Sequence, residues 1–298
     1  MIGIGRLIYK ATGVMSHRGI VKNCEKIGRT LAGDIRAGGR IETGRVHELL
    51  SEAIGSKKAA KVTIASDFDT FKAFAKDNLK LTDEIAERLY NGSVSAVIPG
   101  GKSGKTLLNL RLENADNLEA LNLTTHELEH VLWGNVSMSA KKRQFIMKLI
   151  PQEVLEYLQK SLSNTGNKKL HAFQNWLIQQ SKLGPVSSRL KDCTEYKPGL
   201  EGLLKQTGFE SREKLHDAIR TFVRQELIFP GIDERNPAFL KLFRKNIRDE
   251  ARAYNVGGRV VRNFVKGENI SKSEMLAQLY NEAAIVLKSE IKIRKRIN

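Results

Sequence analysis

The sequence predicts an α+β protein: a small core with strand, helix and hairpin, followed by a mostly helical region. Three observations carry that expectation. Strand-like apolar runs are confined to residues 62–112. Beyond them, apolar residues recur at three- and four-residue steps, the period of a helix with one buried face. Between the two lies "TTHELEHVLWG" (124–134), a helix-forming stretch with two histidines four residues apart.

Residues 1–60 are basic and glycine-rich ("GRTLAGDIRAGGRIETGRVHELL") and read as short helices and loops. The first nineteen residues, "MIGIGRLIYKATGVMSHRG", are broken by glycine and charge. They lack the continuous apolar segment of a secretory signal. Cys24 and Cys193 are far apart and without CxxC spacing, which points to a reducing compartment rather than a disulfide framework. The expected location is therefore cytoplasmic, or outside by a route without a classical signal peptide. No apolar run is long enough for a transmembrane helix.

The chain has 298 residues, enough for one large domain or two modest ones. Its formal charge of +17 predicts attraction to acidic partners, nucleic acid among them, without choosing between them.

Val62–Ala65 is a β-branched run and predicts a strand. Ser66 and Asp67 can cap a following helix that carries Phe68, Phe71 and Phe74. A second helix is expected from Thr82 to Tyr90, stopped at Asn91-Gly92. "VSAVI" (94–98) and "TLLNLRL" (106–112) read as strands around the turn "PGGKSG". Leu108, Leu110 and Leu112 alternate with Asn109 and Arg111, which predicts a half-buried strand. "PGGKSGKT" also resembles a phosphate-binding loop. Pro99 stands where that motif needs glycine, however, and a strand pattern follows where it needs a helix.

The next helix is expected over 118–133. After it come "PQEVLEYLQKSL", "HAFQNWLIQQS", "SREKLHDAIRTFVRQEL", "NPAFLKLFRKNIRDEARAY" and "SKSEMLAQLYNEAAIVLKSEIKIRK", each a helix. The last opens on Ser271-x-x-Glu274, the spacing of a capping box. The expected division is 1–60, 61–136 and 137–298.

On the 118–133 helix, His126 and His130 share one face and can hold one metal ion together. Glu127 lies about 100° around the helix from His126, close enough to take a proton from a water on that ion. This HExxH pattern, placed after the strand–helix–hairpin order, resembles the catalytic core of zincin metallopeptidases. The resemblance covers 61–134 and a short segment at 249–255. It implies a zinc-dependent peptidase, here taken as an endopeptidase, acting on a peptide or protein. It also implies an edge strand beside the motif helix that binds substrate backbone by strand addition, either 106–112 or its hairpin partner. Glu129 departs from the stricter zincin pattern, which keeps that position uncharged. Peptide deformylases share an acidic residue there, but their cysteine ligand has no counterpart in this chain.

A catalytic zinc usually takes a third protein ligand. Trp133 and Val136 occupy the places of the metzincin glycine and histidine, and the aspzincin signature is absent. The gluzincin class remains, which needs a later glutamate. Glu250, in "NIRDEARAYNVGG", falls by helix angle inside the apolar stripe Phe239, Phe243, Ile247, Ala251, Tyr254, while Asp249 points away. A carboxylate on such a stripe is costly unless it is paired or binds a cation. Glu153 and Glu156 are rivals nearer in sequence. Tyr254, one turn after Glu250, can donate to an oxyanion or simply pack in the core. His216 is a weaker candidate for a second donor. The competing reading is a non-catalytic basic helical binding module, for nucleic acid or an acidic protein, whose HExxH is incidental.

Overall fold

The computed structural model describes residues 17–91, 95–99, 104–136, 165–182, 195–228 and 238–297. It is mostly helical, with one three-stranded sheet, and so falls in the α+β class. Among the described residues, no helix is long and apolar enough to cross a membrane. The chain divides into two compact units, 1–142 with 259–266, and 143–258 with 267–298.

The first unit opens with α1 (His17–Arg36) and α2 (Thr43–Ile54), followed by one turn, α3 (Ser56–Ala59). These helices are longer than the glycine content suggested. The reason is visible at Gly28. A methyl group there would lie 2.7–2.8 Å from Val260 and from Thr125. The glycine is thus a contact surface rather than a helix breaker. Gly28→Ala is expected to lower the melting temperature by several degrees. Overpacking costs typically about 1–3 kcal/mol, while the helix-propensity gain is about 1. At Gly33, in the same helix, an added methyl would meet open space. Gly33→Ala should therefore raise stability by up to about 1 kcal/mol. Thermal denaturation should give opposite signs for the two variants; a rise in both would refute the close contact at Gly28.

β1 (Val62–Ala65) leads to α4 (Phe68–Phe74), capped as expected by Asp67, whose carboxylate accepts from the Thr70 amide at 2.8 Å. α4 runs on into a π turn over 75–79, and α5 (Asp83–Asn91) follows. β2 (Ser95–Pro99) and β3 (Thr106–Leu110) form the antiparallel hairpin, and β1 pairs parallel to β3. The strand order is β1-β3-β2, so β3 is central and β2 is an edge. Pro99 at the end of β2 suits an edge, because proline cannot donate to a ladder.

Every residue of β3 is buried, Asn109 included, which corrects the half-buried expectation. Leu107 joins Ala65, Phe71, Phe74 and Ala86 in a cluster under α4 and α5. The alternate face, with Leu108 and Leu110, is buried as well. A central strand covered on both faces loses the in–out contrast that alternation signals. The strand after "PGGKSG" also removes the phosphate-loop reading, since β3 follows where that motif needs a helix. α6 (Asn117–Val136) packs against β2, β3 and α1.

The second unit contains α7 (Thr165–Ser181), α8 (Leu200–Thr207), α9 (Arg212–Phe222) with a π turn over 223–227, α10 (Ala238–Val265) and α11 (Lys272–Ile297). α10 is a continuous 28-residue helix. Its residues through Gly258 belong to the second unit, and those from Arg259 belong to the first. Those last turns are tied to α1: Arg259 pairs with Glu25 at 2.8 Å, and Arg36 donates to the Phe264 carbonyl at 2.7 Å. The capping box of α11 is formed as expected. Glu274 accepts from the Ser271 amide at 3.0 Å, and Ser271 Oγ accepts from the Glu274 amide at 3.2 Å. "PQEVLEYLQKSL" lies outside the described residues.

The core of this unit joins Phe173, Leu177, Ile219, Phe243, Ile247, Leu279 and Tyr280. Two carboxylates on α11 clamp α9 beside it. Glu282 accepts from Arg212 at 2.9 and 3.0 Å and pairs with His216 at 2.5 Å. Glu290 accepts from Arg224 at 3.0 and 3.1 Å and from Arg294 at 2.7 Å. Burial pushes both carboxyls up, but the hydrogen bonds and charges of their partners outweigh it and hold both below the ordinary value. A carboxyl lowered by folding contributes stability that is complete above its unfolded value and is lost as pH falls through the folded one. The wild type should therefore lose stability progressively on acidification below about pH 5. The double variant Glu282→Gln, Glu290→Gln should be less stable at pH 7 and flatter over that range. Parallel curves in urea denaturation at pH 7 and pH 4 would contradict the clamp.

Candidate metal centre

α6 starts at a firm cap, with Asp116 accepting from the Leu118 and Glu119 amides at 3.0 and 2.9 Å. The helix is then buried on several sides. Leu121, Leu128, Val131 and Leu132 are fully enclosed, and so are Thr124, Thr125 and Glu129. His126 and Glu127 are each only 7% exposed. A helix that encloses this much polarity must supply partners for it, since unpaired polar burial costs several kcal/mol.

The four-residue spacing brings the two imidazoles together. Their rings lie 5.0 Å apart at 71°, and Nε2 of His126 is 3.3 Å from Nε2 of His130. Two nitrogens held about 2.0–2.1 Å from one tetrahedral ion would be separated by about 3.3 Å. That separation is compatible with one shared cation.

Glu250 stands on α10. One ligand atom each from His126, His130 and Glu250 lies within 4.8 Å of the others, so this group could hold a metal ion. Asp249, the neighbouring acid, is turned to other partners: it takes Lys245 at 2.9 Å and Arg252 at 2.6 Å. Phe243, Ile247 and Ala251 are buried along the stripe, as the periodicity predicts. Glu153 and Glu156 lie outside the described residues.

Glu127 is met from the sheet. Ser95, the first residue of β2, donates from Oγ to Glu127 Oε1 at 2.9 Å. Strand alternation explains the meeting. Ile98 packs with the α4–α5 cluster, and Ser95, three residues earlier, faces the other way, toward α6. Sequence reasoning passed over Ser95. Its only signal was its place at the start of a predicted strand, 32 residues from its partner.

Glu129 is fully buried, and its Oε2 is 3.9 Å from His130 Nδ1. Burial first, then the charges of Glu129 and Glu25, push the Cys24 thiol well above its ordinary value. The charge of the motif's unexpected acid is thus felt at Cys24 on α1. Compared with family models, curated proteins and solved structures, the chain matches none. The geometry of these side chains is therefore the whole basis for a functional reading.

Tyr254 packs its ring against Tyr280, with centroids 5.4 Å apart at 61°, and borders the apolar core. Burial raises the Tyr280 hydroxyl well above its ordinary value, and the neighbouring Tyr254 and Glu250 add to the effect. Tyr280 was not singled out from sequence, because a tyrosine on an amphipathic helix reads as core. His216 belongs to the α9–α11 clamp through Glu282.

Proposed function

We propose that the chain is a zinc-dependent metallopeptidase, with an endopeptidase as the specific form. The observation that carries the reading is the convergence of His126, His130 and Glu250 beside a buried Glu127. Two imidazoles and one carboxylate are the donor set of a catalytic zinc that keeps a position open. The mixed sheet, with its antiparallel edge strand β2 next to the motif helix, supports a zincin-like core.

In this reading His126, His130 and Glu250 hold the ion. When bound, zinc would polarise the scissile carbonyl and make water acidic enough to attack near neutral pH. Glu127 accepts the proton of the attacking water and delivers it to the departing amine, which is general base followed by general acid catalysis. Its burial suits this role, because an enclosed site keeps bulk water from competing for the proton in transit. β2 offers backbone groups for an extended peptide by strand addition. Tyr254 is the candidate oxyanion donor.

The test is zinc content and hydrolysis of a quenched fluorescent casein after zinc reconstitution. About one zinc per chain with hydrolysis is expected. Zinc without hydrolysis would reduce the chain to a metal-binding protein. No zinc after reconstitution would leave the basic binding module, in which the net charge of +17 would be the working feature.

A further inference from the structure

Resting on the reading of Glu127 as the proton-transferring carboxylate, we propose that Ser95 is its positioning residue. β2 would then couple strand pairing with substrate to the aim of the base.

A carboxylate on several rotatable bonds samples several directions, and general base catalysis needs one. The Ser95 hydroxyl fixes Oε1 at 2.9 Å and leaves the other oxygen to take a proton. The hydroxyl comes from a strand rather than from the motif helix, so base and helix are not fixed by local geometry alone. Ser95 pairs in register with Leu110, which is fully buried, and that anchors one side of the strand. Among the described residues the opposite side of β2 has no strand partner. A peptide that added there would hold β2 from both sides, and through Ser95 would reduce the freedom of Glu127. The resting enzyme would have a looser base, and the occupied one a better-aimed base.

The experiment measures acetohydroxamic acid binding to the zinc-loaded protein by calorimetry. This small ligand binds zinc and carries N–H and O–H groups that donate to a carboxylate beside the ion. Ser95→Ala should weaken binding about tenfold, equivalent to about 1.4 kcal/mol. Ser95→Thr, which keeps the hydroxyl, should restore it to within about twofold of wild type. Ser95→Ala in a Glu127→Ala background should have no further effect, because the cycle then lacks its partner. Zinc stoichiometry should be the same in all variants.

Wild-type affinity in Ser95→Ala would overturn the proposal. So would an equal tenfold loss in the Glu127→Ala background, which would mean that Ser95 supports the strand and not the base. Failure of Ser95→Thr to rescue would do the same. If Glu127→Gln binds the hydroxamic acid as tightly as wild type, the reading of Glu127 itself falls, and the inference with it.

Discussion

Glu127→Gln is expected to lower casein hydrolysis by about a thousandfold while the protein keeps its zinc. General base catalysis contributes typically about 10²–10⁴-fold. Glutamine preserves the shape of the side chain and can still accept from Ser95, but its amide cannot take a proton. Glu127 is not among the three groups that could hold the ion, so metal content should not change. Zinc is measured by atomic absorption on the same sample used for the assay. Activity within tenfold of wild type would remove Glu127 from the chemistry. Loss of zinc with activity would make it a ligand instead, and the arrangement would need to be redrawn.

The second large effect is expected at Glu250. Glu250→Ala should weaken zinc binding by more than the roughly 10- to 100-fold typical of an outer partner, because in the proposed arrangement a direct ligand is removed. His126→Ala should do the same. Asp249→Ala is the control: its carboxylate is one residue away but bonds Lys245 and Arg252. Thermal denaturation gives a second readout. A ligand at a thousand times its dissociation constant stabilises the folded state by about 4 kcal/mol. Wild type and Asp249→Ala should therefore show a zinc-dependent rise in melting temperature, and Glu250→Ala and His126→Ala should not. Zinc retained by Glu250→Ala alone would move the third ligand elsewhere, with Glu153 and Glu156 the next acids to replace.

Much of the local architecture was legible in the order of residues, because it rests on neighbours in the chain. β1, the Asp67 cap, the β2–β3 hairpin and the Ser271–Glu274 box each depend on residues within a few positions of each other. The histidine pair belongs to this group, since a four-residue step on a helix always places two side chains on one face. The split between Asp249 and Glu250 was legible for the same reason.

Other features depended on what packs where. The burial of Asn109 and of the whole of β3 follows from cover on both faces, which no alternation pattern encodes. α1 reads as broken by glycine until Val260 and Thr125 are seen against Gly28. Glu129 reads as a fault in the motif until it is found enclosed near Cys24. Ser95 was marked only by its place at the start of a predicted strand.

Sequence alone singled out His126, Glu127, His130 and Glu250 as candidates, because helix period, capping and residue chemistry are local and repeat from protein to protein. Only the tertiary structure could group Glu250 with two histidines over a hundred residues earlier as a possible metal site, and only it shows that Ser95 meets Glu127. Contacts between distant segments are chosen by the burial of whole faces, and the energy of that burial is spread over many side chains rather than written in any one of them.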